Sequence, residues 1–232
     1  MFYQKFLKNK NKLRIIRSGL SWLLIILGLS ILVFVWGPLV QQEIIFQYNK
    51  ATGSLYYTYN RKNGDLGQNS SLEDRPSIVP KSTSFGIIIP KIGVNAPVFA
   101  NINPFNEAEF LPILKKGIAH AKNTSFPGQG GNVYLFAHSA NSALEIQRYN
   151  AVFYLVNKLE KGDQIVVYYK EKPHFYYVFE KKIVSPETIK YLKRTEEETL
   201  TLQTCYPPGT TLKRLIVKAK PEIVLDKGLT TY

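Results

Sequence analysis

The chain has very little cysteine and histidine. Among 232 residues there is one cysteine, Cys205, and there are three histidines, His120, His138 and His174. A single cysteine cannot form an internal disulfide, so the fold is not cross-linked. It also argues against a structural zinc site, which needs four nitrogen or sulfur ligands, and the histidines form no H-x-x-x-H pair. The one dense acidic run, EEE at 196–198, is expected to flank a helix. We therefore predict no metal and no cofactor.

Acidic residues are absent from residues 1–17, which carry six basic side chains. The whole chain has 30 basic and 17 acidic residues, so 24 basic against 17 acidic residues remain after this segment. A moderately basic body can be attracted to anionic lipid, anionic wall polymer or nucleic acid, or it can serve solubility alone. Charge by itself does not choose among these.

A long stretch without charge follows, over residues 18–42. Its roughly 20 apolar residues match the length of a helix that crosses a bilayer. Trp22 and Trp36 lie near its ends, as interfacial aromatic residues do, and the basic residues before it predict a cytoplasmic N-terminus. The alternative is a cleaved signal peptide, but the run is too long and no A-x-A site follows it. We predict a retained signal-anchor helix.

Residues 43–83 are rich in Asn, Gly, Ser and mixed charge, and no helical or alternating pattern persists there. This composition predicts a flexible extracytoplasmic stalk or linker. The remaining residues, 84–232, are predicted to form one folded domain, because short strand-like runs alternate there with turn signals.

The domain is predicted to be mostly β. DQIVVYYK and HFYYVFEKKIV read as long strands around a hairpin-like break at EKP, and TLQTC and LKRLIVKAK as the last two strands. Short helices are predicted after Asn106 and within EIQRYNAVFYLVNKL. Pro90 and Pro97 place the first strands near edges or bends. Eight or so short strands with few helices predict an antiparallel barrel or sandwich.

Three reactive side chains fall beside predicted strand ends. Cys205 ends TLQTC, His138 ends NVYLFAH, and Arg214 opens the last strand. A thiolate can attack a carbonyl, an imidazole can move the proton, and a cation can stabilise the oxyanion and lower the thiol pKa. Each residue also has a simpler interpretation, as a small buried side chain, a hydrogen-bonded histidine or a surface ion-pair partner. Spacing alone does not bring the three together.

The sequence resembles the sortases, the membrane-bound cysteine transpeptidases of bacterial cell surfaces. TLQTC followed by LKRLIV resembles the family's T-L-x-T-C motif and the arginine-bearing strand after it. IIIPKIGVNAPV resembles the opening strand pair, and FPGQGGNVYLFAHS the segment with the catalytic histidine. The motifs keep the family's order over residues 84–220.

The resemblance implies an eight-stranded sortase-type β-barrel with short helices, preceded by the transmembrane helix. It implies that Cys205 is the nucleophile, His138 the general acid/base, and Arg214 the group that stabilises the oxyanion or the bound peptide. Thr204 matches the motif threonine and is implied to help hold the substrate. Lys213, one residue earlier, is the fallback for Arg214.

Sortases cleave a C-terminal sorting signal such as Leu-Pro-x-Thr-Gly through a thioacyl enzyme, which an amine resolves. The implied partners are secreted proteins with such a signal, an amine acceptor (a peptidoglycan stem peptide or a pilin lysine) and the lipid bilayer, with no nucleic acid. The implied location is the cell membrane, with a single span and the catalytic domain outside. His120 and His174 receive no role and are expected to be structural.

The sequence leaves the sortase subclass open. A pilin-polymerising sortase is one alternative, although EDRPS stands in the stalk where such enzymes often carry an Asp-Pro-aromatic lid. Another is a different extracytoplasmic cysteine enzyme, such as an L,D-transpeptidase, whose His-Gly-Cys motif is missing. The last is a non-catalytic, membrane-anchored β-barrel that binds wall polymer or peptide.

Overall fold

The computed structural model describes part of the chain: residues 19–34, 37, 40, 41, 43, 44, 47, 78–139, 152–224, 230 and 231. Residues 19–34 form a helix, α1. Within the described residues, no helix combines the length and the apolar character needed to span a membrane. The predicted N-terminal segment 1–17 and the EDRPS stretch of the stalk lie outside the described residues.

Eight strands of the described domain close into a barrel, which confirms the predicted eight-stranded β-barrel. They are β1 (Phe85–Ile89), β2 (Val94–Ile102), β3 (Ile118–Ala121), β4 (Asn132–Phe136), β5 (Gln164–Tyr169), β6 (Lys172–Val184), β7 (Thr199–Tyr206) and β8 (Lys213–Pro221). Around the barrel their order is β1-β2-β3-β4-β7-β8-β6-β5, with β5 paired back to β1. Two short strands, β9 (Ile223–Val224) and β10 (Thr230–Thr231), pair with each other.

The β5–β6 hairpin forms as predicted, with Lys170 and Glu171 at positive φ in its two-residue turn. The expectation of an antiparallel sheet is wrong for two strand pairs, because β2–β3 and β4–β7 are parallel. Parallel neighbours need a crossover connection. The connection from β2 to β3 runs through helix α2 (Glu107–Leu114), and that from β4 to β7 includes the β5–β6 hairpin. Neither crossover can be read from a succession of short strand-like runs.

The main core fills the inside of the barrel. All eight strands contribute alternate apolar side chains to it, among them Ile87, Leu135, Val167, Leu202 and Val217, each 1% exposed or less. Each such side chain stabilises the fold by about 1.5–3 kcal/mol relative to its exposed state. Because the interior is packed with apolar side chains, a reactive site has to lie at a barrel end or on the outer face.

A second core covers the outer face of β3 and β4. It consists of Leu114, Ala119, Ala121, Tyr134 and Phe136, with Phe110, Tyr191 and Leu192 packed against it. Helix α2 begins directly after Asn106 as predicted, although the Asn106 side chain makes no capping hydrogen bond. The 3-10 helix Lys190–Leu192 supplies Tyr191 and Leu192 from the connection between β6 and β7.

Three local expectations turn out differently. The described part of EIQRYNAVFYLVNKL, residues 152–159, forms turns and the 3-10 helix Val156–Lys158, and the rest lies outside the described residues. Pro97 lies inside β2, opposite Gly86 of β1, and the pairing of β2 with β3 begins at the next residue, Val98. The EEE run leads directly into β7 and does not flank an α-helix.

Candidate active site

The chain brings Cys205 and Arg214 together by strand pairing. The antiparallel β7–β8 register places these residues directly opposite each other, and Arg214 also pairs with Val184 at the end of β6. Opposite residues of an antiparallel pair project from the same face of a sheet. Leu202, three residues before Cys205, and Leu215, directly after Arg214, both point into the core. Because side chains alternate along a strand, the thiol and the guanidinium share the outer face.

The Arg214 guanidinium is held over the turn before β8. Its Nη1 donates hydrogen bonds to the carbonyl oxygens of Thr211 at 3.1 Å and Lys213 at 3.2 Å. Lys213 itself is exposed and pairs with Tyr206, so strand alternation places it on the other face from Arg214. The structure therefore sets Arg214, and not the fallback Lys213, opposite the thiol.

The Cys205 thiol is a free cysteine and is half-buried. Burial raises its pKa above the ordinary value, while the positive charge of Arg214 opposes part of that rise. Desolvation disfavours a thiolate, and a nearby cation favours it. Near neutral pH the thiol form therefore predominates, and nucleophilic attack needs a group that accepts the proton.

His138 follows β4, which pairs with β7 in parallel, so it lies toward the end of β7 that carries Cys205. The register pairs Phe136 with Gln203, and Ala137 N donates to Gln203 O at 3.2 Å. Continuing this register by two residues sets His138 beside Cys205. His138 is half-buried, and its backbone carbonyl accepts a hydrogen bond from Phe153 N at 3.2 Å, which fixes the backbone at this position.

Thr204 points away from that face. Its side chain is 3% exposed, and its hydroxyl donates to the carbonyl of Ala137 at 2.9 Å. The bond joins the strand that carries Cys205 to the residue directly before His138. The contact with substrate implied for Thr204 stays a prediction, and its observed bond fixes the spacing of β4 and β7 near their ends.

A family model of the sortase domain matches residues 87–222, more than half of the chain. The chain belongs to the sortase family. Sortases are generally cysteine transpeptidases, and the row formed by His138 (two residues past β4), Cys205 on β7 and Arg214 on β8 lies inside the matched region. In this sortase Cys205 and Arg214 pair on β7 and β8, and His138 follows β4, the parallel neighbour of β7.

Individual sequences and solved structures are also similar to this chain. Sortase D of Bacillus subtilis (strain 168) is 28% identical over 163 residues, which cover 68% of this chain and 74% of that protein. Sortase C1 of Streptococcus agalactiae has a similar structure, with a TM-score of 0.50, 26% identity, and coverage of 62% of this chain and 69% of that one. A Sortase D5 transpeptidase of Clostridium perfringens is 30% identical over 62% of this chain and 82% of its own, with a TM-score of 0.49.

The other two histidines of the sortase, His120 and His174, lie on β3 and β6. His120 is fully buried, its Nδ1 accepts from Asn101 N at 3.3 Å, and its Nε2 lies 3.0 Å from Ser125 O. An accepting Nδ1 leaves the proton on Nε2, which can then donate to that carbonyl. Its ring stacks on Phe126 at 4.5 Å, and burial lowers its pKa. His174 on β6 lies at the far end of the barrel, and burial lowers its pKa too.

Sequence reasoning missed the pair formed by Tyr134 and Gln203. The Tyr134 hydroxyl donates to the Gln203 side-chain oxygen, and burial raises the pKa of Tyr134, so the hydroxyl stays neutral. Gln203 lies two residues before Cys205 on the same face of β7. The alternation within TLQTC could have indicated Gln203, because residues 203 and 205 of one strand share a face.

No group of three or more His, Cys, Asp or Glu side chains in the described parts of the sortase is arranged to hold a metal ion. The EEE run instead ends in Glu198, whose carboxylate contacts the backbone of the loop before β4. Sequence inspection did not single out Glu198, although the glycine-rich GQGG segment was a signal that a loop could bind a carboxylate.

Proposed function

We propose that this sortase is a cysteine transpeptidase that cleaves a C-terminal LPxTG-like sorting signal and transfers the protein to an amine on the cell surface. The observation that carries the proposal is the pairing of Cys205 with Arg214, one strand away from the His138 segment. A free thiol, a fixed cation and an imidazole on one face are the components of thiol-based acyl transfer.

In the first half-reaction, the Cys205 sulfur attacks the carbonyl carbon of the substrate threonine while His138 accepts the thiol proton. The positive charge of Arg214 stabilises the oxyanion that forms. The carbon–nitrogen bond to the following residue then breaks, and the imidazolium donates its proton to the departing amine. A thioester between the substrate threonine and Cys205 remains.

In the second half-reaction, an amine attacks the thioester carbonyl and His138 accepts a proton from the nucleophile. The carbon–sulfur bond breaks, the sulfur regains a proton, and a new amide joins the protein to the acceptor. Water in place of the amine would give hydrolysis. The proposed acceptors are a peptidoglycan stem peptide or a pilin lysine, and the latter would make the enzyme a pilin polymerase.

The proposed location is the cell membrane, with the barrel outside the cytoplasm. Support comes from the uncharged segment 18–42 and the basic residues before it. Large apolar side chains along α1 are more than half exposed, including Leu20, Trp22 and Phe34. Such a surface is costly in water and suited to hydrocarbon.

The test uses sorting-motif peptides and three proteins: wild type, Cys205→Ala and Lys213→Ala. We expect wild type and Lys213→Ala to cleave the preferred peptide and to release a hydroxamate when hydroxylamine traps the thioester. Cys205→Ala should do neither. Cleavage retained in Cys205→Ala would overturn the proposal, and an inactive wild type with a slowly alkylated thiol would favour a binding module. A panel of lysine, stem-peptide and glycine amines then identifies the acceptor.

A further inference from the structure

The carboxylate of Glu198 is bound by a loop at the far end of β7 from Cys205. Glu198, directly before β7, accepts hydrogen bonds from Gly128 N at 3.1 Å and Gly130 N at 3.0 Å. The Tyr176 hydroxyl on β6 donates to the same carboxylate at 2.6 Å. Successive backbone N–H groups that converge in this way form an anion-binding nest, and hydrogen bonds to an ionised acceptor are about twice as strong as neutral ones.

The glycines allow this close approach. Gly128 and Gly131 have φ of +79° and +78°, a conformation that L side chains rarely adopt. A Cβ at Gly128 would lie 2.7 Å from His174 Cε1, and one at Gly131 would lie 3.3 Å from Arg194 Cγ. The loop before β4 is therefore in direct contact with both β6 and the segment before β7. The backbone joins them as well, since Thr199 N donates to Gly131 O at 2.9 Å.

The segment that Glu198 ends is the β6–β7 connection, residues 185–198. Its middle part is fixed to β4 by Asn132, which is 2% exposed. The Asn132 amide donates to the carbonyls of Tyr191 at 2.6 Å and Lys193 at 3.2 Å. Its side-chain oxygen accepts from the Thr201 hydroxyl at 2.8 Å. The connection is thus held against the outer face of β4 and β7.

The β6–β7 connection also begins beside the active site. It follows Val184, which pairs with Arg214, and its first residues are mostly exposed. Five residues of β7, 200–204, lie between Thr199 and Cys205, so the two residues are about 20 Å apart along the extended strand. The connection therefore runs from the reactive row to the nest, and its far end is the part with the most polar contacts described.

We propose that Glu198 is a positioning residue for substrate binding. Its carboxylate, held by the glycine nest and Tyr176, fixes the β6–β7 connection as one wall of the groove that the sorting peptide enters. This inference rests on the proposed function, since a wall matters only if a peptide binds. Glu198 is too far from Cys205 to touch the reacting atoms, so it acts through the position of the connection.

The test compares Glu198→Gln, Tyr176→Phe and Glu198→Ala with the control Glu196→Gln in the full-length chain. Glu196 is an exposed acid in the same run. Glutamine keeps the length of the side chain but loses the charge and one acceptor position. We expect Glu198→Gln to raise the KM of the best sorting peptide about tenfold, and Tyr176→Phe to raise it about threefold. Glu198→Ala should raise the KM by more than either of these two variants.

Two readouts separate positioning from general damage. The kcat should stay within about twofold of wild type, and the alkylation rate of Cys205 should not change, because the reactive row is intact. An unchanged KM in Glu198→Gln, or an equal loss of kcat and of alkylation rate, would overturn the proposal. Glu198→Asp keeps the negative charge on a shorter side chain. Its KM for the sorting peptide should therefore lie between the values for Glu198→Gln and wild type.

Hydrogen exchange tests the anchoring of the β6–β7 connection by Glu198 without any substrate. If the wild type turns over no peptide, the proposed function fails, and the exchange experiment still tests the role of Glu198. We expect faster exchange at Gly128, Gly130 and residues 188–198 in Glu198→Gln than in Glu196→Gln. Equal exchange in the two variants would overturn the role assigned to Glu198.

Discussion

Replacing Arg214 with alanine tests how the Cys205 thiol is kept reactive. Directly opposite side chains on antiparallel strands have Cβ atoms about 5 Å apart. The positive charge of Arg214 acts on the thiol, and a separation of about 6 Å between the sulfur and the guanidinium charge is taken for the calculation. At an effective dielectric constant of about 20, two unit charges at this distance attract by nearly 3 kcal/mol. The site is half-exposed, and solvent and salt reduce this to about 1.4 kcal/mol.

A loss of that size raises the thiol pKa and lowers the thiolate fraction about tenfold at a fixed pH below the pKa. Because a more basic thiolate is also a better nucleophile, the alkylation rate should fall only about three- to fourfold. Peptide turnover should fall further, by about a hundredfold or more, since the oxyanion also loses its cation. Arg214→Lys should preserve most of the alkylation rate.

The assay is the pH dependence of iodoacetamide alkylation, followed by mass spectrometry, together with peptide kcat/KM. Lys213→Ala is the matched control, because Lys213 adjoins Arg214 in sequence but lies on the other face. An alkylation rate in Arg214→Ala equal to that of wild type would refute the electrostatic reasoning. A larger effect of Lys213→Ala would show that the assigned register is wrong.

Two further predictions concern buried polar groups. Burial lowers the pKa of His120 in the folded protein, so the unfolded state binds a proton there more readily. The stability that a neutral His120 contributes should therefore be fully present above pH 6.5, the ordinary histidine pKa. Below that pH the free energy of unfolding should fall by up to about 1.4 kcal/mol per pH unit. Thermal unfolding between neutral and mildly acidic pH measures this, and a His120→Gln variant should lose that part of the slope. Thr204→Val leaves the Ala137 carbonyl without its donor and should cost about 1–3 kcal/mol, with lower peptide turnover; a higher KM at unchanged stability would instead support direct contact of Thr204 with substrate.

Local sequence determined the strands and their faces. Alternation in TLQTC and LKRLIV places residues 203 and 205 on one face and residues 202 and 204 on the other, and the structure follows that alternation. The β5–β6 hairpin was also predictable, since its strands are joined by two residues. The proline-rich turn after Cys205 likewise indicated that the last two strands are neighbours. These features depend on side-chain period and turn length, which are properties of short segments.

Tertiary structure decided what long-range pairing controls. The parallel β4–β7 register, which sets the His138 segment beside Cys205, joins residues 67 positions apart. No local pattern contains that information, because many registers bury the same alternate side chains equally well. The same holds for Glu198, whose partners Gly128 and Gly130 come from the loop before β4. The sequence by itself therefore determined which side chains can react and on which face they lie, and packing of the closed barrel decided which strands are neighbours.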